Sequence, residues 1–326
     1  MKQREVSQQA GRLESPDQQF KGRAVLVTGG AGFIGSALCA RLAEVGATVH
    51  SASRRPEGTR FAQRHWRVDL ADAVAAAQLI KAVKPDYVFH LASHVMGAPD
   101  IRHVLPTFRD NLQTTVNIMT ALAENGCRRM ITAGSLVEPE PGQPAPAPTA
   151  PYAAAKWASG DYARMFHSVF GLPVAIARIF MVYGPAQQDE SKLVPYTIRC
   201  LLRREAPKIS SGQGRFDWVF VDDVVAGLLH LAVAPAVDGK SVDLGTGVLT
   251  TTAALVERLC ALMNSQLRPQ YGAAAERPLE PVRCARTEDT KRLTGWSAQV
   301  DLDDGLSRTI AWYASHPAGE AAAKPA

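Results

Sequence analysis

Two side chains that could move a proton together are Tyr152 and Lys156, four positions apart in the stretch YAAAKWASGDYARMF. The composition of this stretch is typical of a helix, and a spacing of four places the phenol and the ammonium side by side on one helix face. A free tyrosine has a pKa of about 10 and exchanges protons poorly at neutral pH. A neighbouring ammonium stabilises the phenolate and lowers that pKa. The pair therefore predicts proton transfer at a hydroxyl oxygen, although this spacing alone is common.

The elements that must position such a pair begin far upstream, at residues 23–46, which read RAVLVTGGAGFIGSALCARLAEVG. The short apolar run at 24–27 is typical of a buried strand, and apolar residues recur at helical spacing after the turn. Between them lie Gly29, Gly32 and Gly35. Because glycine has no Cβ, a pyrophosphate can reach the N–H groups at the positive end of the helix. The order of strand, glycine turn and helix predicts a dinucleotide site.

The string TGGAGFIG resembles the fingerprint of the extended short-chain dehydrogenase/reductases, and the similarity extends from about Arg23 to about Tyr313. This family contains nucleotide-sugar epimerases, dehydratases, decarboxylases and ketoreductases. The resemblance implies an α/β fold, a Rossmann-type doubly wound parallel sheet with a smaller C-terminal α/β substrate lobe. The chain would divide into flexible tails at 1–20 and 316–326, an NAD(P)-binding domain at 21–180 to which later segments return, and a mainly substrate-binding lobe at 181–315. Sequence patterns predict further strands at 47–53, 65–70, 86–91, 128–133 and 172–180, and helices at 71–83 and 110–125.

The same resemblance assigns roles to individual residues. Lys156 would also bind the nicotinamide ribose, and Ser135, at the end of a predicted strand, would share the substrate oxygen with Tyr152. The reaction implied is hydride transfer at a carbinol or carbonyl carbon, with Tyr152 moving the proton. Further cofactor contacts are implied at Gly29, Gly32, Phe33, Ile34, Gly35, Asp69, Leu70, Leu91, Ala92, Ser93 and Ile179.

The end of the second predicted strand distinguishes the two nicotinamide cofactors. NAD enzymes of this architecture usually place an Asp or Glu there for the ribose hydroxyls, whereas this chain has Ser53, Arg54 and Arg55. A hydroxyl and two guanidiniums attract a 2′-phosphate through charge-assisted hydrogen bonds. The pattern favours NADP(H) over NAD(H). The alternative is that both arginines are surface charges in a loop.

The residues after Ser135 separate the reactions of the family. Similar sugar 4,6-dehydratases carry an acidic pair there and decarboxylases a glutamate, but Leu136 and Val137 cannot ionise. Two reactions remain, reduction of a ketone by NADPH and epimerisation through a transient ketone. The arginine pair favours an NADP(H)-dependent reductase of a nucleotide-activated keto-sugar such as a 4-keto-6-deoxyhexose. The alternatives are an NAD-dependent nucleotide-sugar 4-epimerase and a non-catalytic dinucleotide sensor.

Five positions of the chain bear on the substrate. Arg215, in GRFDWVFVDDV, stands beside Phe216, which replaces an arginine of the family, and Arg277 corresponds to an arginine that clamps the substrate pyrophosphate. Met181 replaces an asparagine that binds the phosphate region. His94 lies close to the expected meeting point of nicotinamide and substrate, where it either contacts substrate or serves as a structural hydrogen-bonding group.

Three other features have alternative interpretations. Asp222 and Asp223 suggest either a metal pair or a helix start, and the family favours the helix start. The proline-rich residues 138–151 read as a domain linker by composition, but their position just before Tyr152 favours an active-site loop. Asn111 matches an asparagine that the family uses near the active site.

Composition excludes several other classes of protein. The 326 residues carry a net charge of +5, but the basic residues are scattered, which argues against a nucleic-acid partner. No apolar run is long enough to span a membrane. The five cysteines are widely spaced and odd in number, which argues against a disulfide framework or zinc site and for a cytosolic protein. No metal is expected, and the family resemblance implies a homodimer.

Overall fold

The computed structural model describes residues 16–139, 147–275 and 281–317. Its strands are β1 (Ala24–Thr28), β2 (Thr48–Ser53), β3 (Arg64–Arg67), β4 (Tyr87–His90), β5 (Arg129–Ser135), β6 (Val174–Ile179), β7 (Met181–Tyr183), β8 (Arg215–Phe220), β9 (Ser241–Leu244) and β10 (Leu249–Thr251). Its α-helices are α1 (Pro16–Phe20), α2 (Phe33–Glu44), α3 (Ala73–Val83), α4 (Val104–Thr107), α5 (Thr114–Asn125), α6 (Pro151–Phe170), α7 (Leu193–Leu202), α8 (Val221–Val233), α9 (Thr252–Leu262), α10 (Thr287–Thr294) and α11 (Leu302–Ser315).

The main sheet has seven parallel strands in the order β3-β2-β1-β4-β5-β6-β9. Its central strands are apolar and buried on both faces, as parallel strands covered by helices must be. The strand order reverses between β1 and β4, and the carboxyl edge at such a switch point is where open α/β sheets bind ligands. The Rossmann-type doubly wound sheet predicted from the sequence is confirmed.

Helices cover the two faces of this sheet and enclose separate cores. Successive residues of a strand point to opposite faces, and in β1 Val25 and Val27 enter one core while Leu26 enters the other. The first core is completed by α2 and α8, and the second by α3, α5 and α6. The sheet is therefore held rigidly from both sides, which fixes the positions of the loops at its carboxyl edge.

A smaller three-stranded sheet lies beyond β6, in the order β10-β8-β7. Together with α7, α9 and α11 it encloses a third core around Tyr183, Leu255 and Leu306. The chain then returns to the main sheet, where β9 pairs with β6, as the sequence predicts for the segments after residue 180. Within the described ranges, no helix is long and apolar enough to cross a membrane.

The structure corrects the predicted tails. Residues 16–20 form α1, and the fully buried Phe20 packs its ring against Tyr87 and Phe89. The polar residues around Phe20 concealed this contact, while residues 1–15 lie outside the described part of the chain. At the other end, His316 stacks on Trp312, so the described structure continues past the predicted boundary.

Two predicted elements differ in extent. Strand β3 ends at Arg67, before Asp69 and Leu70, because the Asp69 carboxylate accepts the N–H of Ala71 and bends the chain into a turn. The helix predicted at 110–125 starts earlier, through a 3₁₀ turn at Ile101–His103, α4 and a π-helical turn at Phe108–Gln113. Turns of this π type are frequent at functional sites.

Candidate active site

The glycine turn after β1 has the close contacts that a dinucleotide cradle needs. Gly29 has a φ of +72°, and a Cβ there would lie 2.8 Å from the backbone nitrogen of Ala92. A Cβ on Gly35 would collide with the carbonyl oxygen of Gly29. Helix α2 starts after Gly32 with no side-chain cap, so its first N–H groups can bind an anion. These residues fit the pyrophosphate of a dinucleotide.

A cavity of about 1140 Å³ opens at this turn and extends along the carboxyl edge of the sheet to the smaller sheet. Its lining includes every predicted catalytic and cofactor residue, and also Arg215. Single-ligand cavities commonly measure about 300–1,000 Å³, so this one has room for a dinucleotide and a second molecule. The predicted substrate residue Arg277 lies outside the described residues.

Tyr152, Lys156 and Ser135 meet midway along the cavity. Pro151 is the first residue of α6, where its fixed φ suits helix initiation, and it places Tyr152 in the first turn. The hydroxyls of Ser135 and Ser93 lie close enough to the Tyr152 hydroxyl to lower its pKa as hydrogen-bonding groups. Lys156 lies on the same helix face, with its Nζ 5.8 Å from the centre of the tyrosine ring. The predicted arrangement of phenol, ammonium and hydroxyl is therefore present.

The charges of this group differ from the sequence expectation. Burial raises the pKa of Tyr152 to about 12, opposed by the hydrogen bond from Ser135. Burial also lowers the pKa of Lys156 to about 8, opposed by the negative charge of Glu138. The Lys156 Nζ donates to the carbonyl oxygen of Ala133 at 2.9 Å, so its charge is directed at β5. At neutral pH, Tyr152 is therefore a protonated phenol, not a phenol acidified by its neighbour.

Comparisons with known proteins identify the family of this chain. Residues 25–245 match the model of the NAD dependent epimerase/dehydratase family. This chain belongs to that family. A probable dTDP-glucose 4,6-dehydratase of Sinorhizobium fredii is 34% identical, with 89% of this chain and 92% of that protein covered. The UDP-glucose 4-epimerase of Mycolicibacterium smegmatis is 30% identical, with 88% and 97% covered.

A solved structure extends the comparison to bound ligands. WbmF of Bordetella bronchiseptica, in complex with NAD+ and UDP, superposes with a TM-score of 0.79 at 26% identity, with 91% of this chain and 94% of that chain covered. Together with the family match, this confirms the predicted resemblance to the extended short-chain dehydrogenase/reductase enzymes.

In this family member, the end of the cavity beside β2 carries two guanidiniums. Ser53, Arg54 and Arg55 all line it, and the Ser53 hydroxyl accepts the N–H of Arg55. Arg54 forms a two-point ion pair with Asp110 from the π-helical turn. The Asp110 carboxylate also accepts a hydrogen bond from the Arg109 guanidinium. A carboxylate from another element therefore lies at this end of the cavity, paired with Arg54. Sequence reasoning missed Asp110 because 56 positions separate it from Arg54.

His94 does not lie in the cavity, so its predicted contact with substrate is not supported. The Asn111 side chain accepts the backbone N–H of His94 at 2.6 Å and donates to its carbonyl oxygen at 3.1 Å. The imidazole packs 5.7 Å from the ring of His103, with its Nε2 buried and without a hydrogen-bond partner. The Asn111 side chain also accepts a hydrogen bond from the Ser93 hydroxyl. The asparagine expected near the active site therefore orients a residue beside the Tyr152 hydroxyl.

The half of the cavity beside the smaller sheet combines apolar walls with scattered cations. Met181, Phe216 and Trp218 line it, as do Lys192 and Lys208. The substitutions predicted to alter substrate phosphate binding, Met181 and Phe216, therefore do face this space. The sequence analysis missed both lysines, because neither lies in a motif of the family.

Asp222 and Asp223 lie in the first turn of α8, and Asp223 has a structural role. Asp223 is buried and accepts the backbone N–H groups of Gln299 and Val300 through its two oxygens. Among the described residues, no group of three or more His, Cys, Asp or Glu side chains could hold a metal ion. The proline-rich residues 138–151 join β5 to α6, with both described ends beside the site, whereas 140–146 lie outside the described part of the chain.

Proposed function

We propose that this protein is an NADP(H)-dependent reductase of a nucleotide-activated keto-sugar, with a 4-keto-6-deoxyhexose as the candidate substrate. The observation that carries the proposal is one cavity that joins Tyr152 and Ser135 to Ser53, Arg54 and Arg55. A proton donor midway along the cavity and a site for a 2′-phosphate at its end beside β2 are what such a reduction requires.

The cofactor would lie along the glycine turn, with its pyrophosphate at the start of α2, its adenine beside Asp69 and Leu70, and its nicotinamide ribose near Lys156. When bound in reduced form, it supplies a hydride. The 2′-phosphate of NADP(H) would meet Arg54 and Arg55, and planar guanidiniums bind phosphate with two parallel hydrogen bonds.

The protein's own contribution is to manage the charge that develops on the ketone oxygen. Tyr152 is protonated at neutral pH, because its pKa is about 12, and it gives its proton to this oxygen. The Ser135 hydroxyl donates a second hydrogen bond to the same atom, which stabilises the developing negative charge. The ammonium of Lys156 then stabilises the phenolate left behind.

The loop after Ser135 supports reduction over dehydration. Leu136 is buried and apolar, and Glu138, the nearest acid in the loop, is also buried and does not line the cavity. Its carboxylate accepts the backbone N–H of Ser135. An acid that removes a substrate proton must reach that proton, and no side chain of this loop segment, 136–139, is placed to do so.

The NAD-dependent nucleotide-sugar 4-epimerase remains the second candidate, because a specific observation favours it. Arg54 is already paired with Asp110, and an arginine held in this way offers less charge to a 2′-phosphate. An epimerase needs no net supply of hydride, because its tyrosine removes the proton of the sugar hydroxyl when the ketone forms and returns it when the ketone is reduced.

The reductase proposal is tested with purified protein, NADPH or NADH, and a panel of dTDP-, UDP- and GDP-linked 4-keto-6-deoxyhexoses, followed at 340 nm. We expect sugar-dependent oxidation of NADPH in preference to NADH. Interconversion of UDP-sugar epimers without added cofactor, and without loss of NADPH absorbance, would identify the epimerase instead. Binding of NADPH with neither reaction would leave the dinucleotide sensor.

We also infer a homodimer in the cytosol. Large apolar side chains are exposed around the 3₁₀ turn and α4, among them Ile101 at 83% and Leu105 at 76% exposure. Exposed apolar groups concentrated in one region are typical of association surfaces. The five cysteines are free thiols, as in a reducing compartment.

A further inference from the structure

Glu138 is a buried carboxylate directly beneath the active-site strand. Three residues after Ser135, the chain turns back, and the Glu138 Oε1 accepts the backbone N–H of Ser135 at 2.6 Å. Gly134 provides the space, since a Cβ there would lie 2.7 Å from that oxygen. The carboxylate is thus held against the backbone that carries the Ser135 hydroxyl.

Two other buried charges surround this carboxylate. The Oε2 of Glu138 lies 4.0 Å from the Nε of Arg178, and Arg178 donates to Asp243 at 2.7 Å. All three side chains are only 5% exposed. Buried charges cost free energy unless they are paired, and here one guanidinium is shared by two carboxylates. The Arg286 guanidinium also lies 3.9 Å from Asp243, and Arg283 acts on Glu138, so Glu138 belongs to a buried network of opposite charges.

The nearest cation on the catalytic side is Lys156. Its Nζ is bonded to the carbonyl oxygen of Ala133, two residues before the backbone N–H that Glu138 holds. The charge of Glu138 opposes the effect of burial on the pKa of Lys156, and burial raises the pKa of Glu138 itself. Other charged or titratable groups facing the pair are Tyr152, His90, Arg178 and Arg283.

We propose that Glu138 is a positioning residue of the active site, which fixes the backbone of Ser135 and keeps the amine of Lys156 protonated at neutral pH. The proposal rests on the proposed function only in that Tyr152, Ser135 and Lys156 must act on the substrate. Without the negative charge of Glu138, Lys156 would lose its proton at lower pH, and the phenolate formed in the reaction would lose its stabilising ammonium.

The test compares the pH dependence of kcat and KM in the wild type, Glu138→Gln and Asp243→Asn. The amide of Glu138→Gln still accepts the Ser135 N–H but carries no charge. We expect the fall of kcat at high pH to move down by about 1 pH unit in this variant, because an opposite charge nearby shifts a pKa by about 1–3 units. KM for the sugar should change less than twofold.

Asp243→Asn is the matched control, since it also removes a buried carboxylate from Arg178. Its pH profile should coincide with that of the wild type. The proposal would be overturned if kcat of a folded Glu138→Gln protein fell at the same high pH as kcat of the wild type. It would also be overturned if Asp243→Asn shifted this fall of kcat by the same amount as Glu138→Gln.

If Glu138→Gln does not fold, Glu138→Asp is the second test variant. This variant retains the negative charge but shortens the side chain. We therefore expect the pH profile of the wild type, with kcat reduced about tenfold or less. A shift of the profile by a full pH unit would overturn the proposal. Failure of the proposed function is distinguishable, because it appears as absence of turnover in the wild type. In that case the pH dependence of NADPH binding, measured by nucleotide fluorescence, replaces the kinetic measurement. NADPH binding needs Lys156 but no turnover, so its loss at high pH should show the same shift in Glu138→Gln.

Discussion

Arg54 and Asp110 form a two-point ion pair at the end of the cavity beside β2, with Nη1 to Oδ1 at 3.1 Å and Nη2 to Oδ2 at 2.9 Å. The Asp110 side chain is 15% exposed and the Arg54 side chain 59%. Arg54 can therefore turn to a phosphate only by giving up a carboxylate that is held in place by Arg109. We therefore expect this pair to set the balance between the two nicotinamide cofactors.

Weakening that pair should increase the preference for NADP(H). We expect Asp110→Asn to lower KM for NADPH severalfold relative to NADH, because Arg54 no longer has a competing carboxylate. Arg54→Ala should raise KM for NADPH about tenfold or more, since hydrogen bonds to charged groups contribute about 1.5–3 kcal/mol, and leave KM for NADH nearly unchanged. Steady-state kinetics with both cofactors measures this.

Asp303→Asn is the control for this prediction, because it removes the carboxylate from an exposed ion pair with Arg258. An Arg54→Ala variant with equal losses for both cofactors would show that this guanidinium does not contact the 2′-phosphate.

Removal of the tyrosine hydroxyl should separate binding from chemistry. Tyr152→Phe keeps the ring but loses the hydroxyl beside Ser135 and Ser93. We expect kcat to fall about 10²–10⁴-fold, the usual contribution of a general acid, with NADPH affinity within about threefold of the wild type. Stopped-flow single turnovers and fluorescence titration measure the two quantities, and residual turnover near the wild-type rate would assign the proton to another group.

His90 should make the stability of the protein depend on pH. The ring is buried, its Nδ1 shares a hydrogen bond of 2.8 Å with the Thr28 hydroxyl, and burial lowers its pKa to about 3. Below a pH of about 6.5, the unfolded chain binds a proton at this histidine and the folded protein does not. The contribution of the neutral ring to the free energy of unfolding is therefore fully present above that pH and is lost as the pH falls towards 3.

Between pH 7 and pH 5, the wild type should therefore lose about 1–2 kcal/mol more free energy of unfolding than His90→Gln. Urea denaturation at the two pH values measures the difference. The control variant His316→Gln, at the exposed end of α11, should lose as much free energy of unfolding between the two pH values as the wild type. Equal losses in the wild type and His90→Gln would mean that the buried ring takes up a proton in the folded state.

The exposed apolar side chains near α4 should determine the oligomeric state. We expect sedimentation velocity to give twice the chain mass of 35.0 kDa for the wild type, and Ile101→Asp with Leu105→Asp to give a monomer, because a buried unpaired carboxylate opposes association. Val248→Asp, at another position with 62% exposure, should remain dimeric. An unchanged mass in the double variant would place the interface elsewhere.

The predicted site residues that the structure brings together depend on short spacings in the sequence. The glycine turn lies within eight residues, and Tyr152 and Lys156 are one helical turn apart, so local geometry determines both. Ser135 follows in the same way, because a strand of a parallel sheet delivers its last residue to the carboxyl edge.

The parts that were missed depend on contacts between distant segments. Asp110 reaches Arg54 across 56 positions, and Asn111 turns the backbone of His94 so that its ring points to His103. The acidity of Tyr152 depends on burial, which has no signature in the spacing of the residues. Glu138 resembles any loop glutamate in the sequence, and only the fold shows that it lies under Ser135.

The most direct test of the account is a tracer experiment with NADPH carrying deuterium at C4 of the nicotinamide, in either stereochemical position, and a nucleotide-linked 4-keto-6-deoxyhexose. Mass spectrometry of the sugar then reports where the hydride came from. The account predicts one deuterium in the reduced sugar with one of the two labelled cofactors, with one NADP+ formed for each product molecule. An isomerised sugar without deuterium, formed at the same rate when NADPH is omitted, would contradict it.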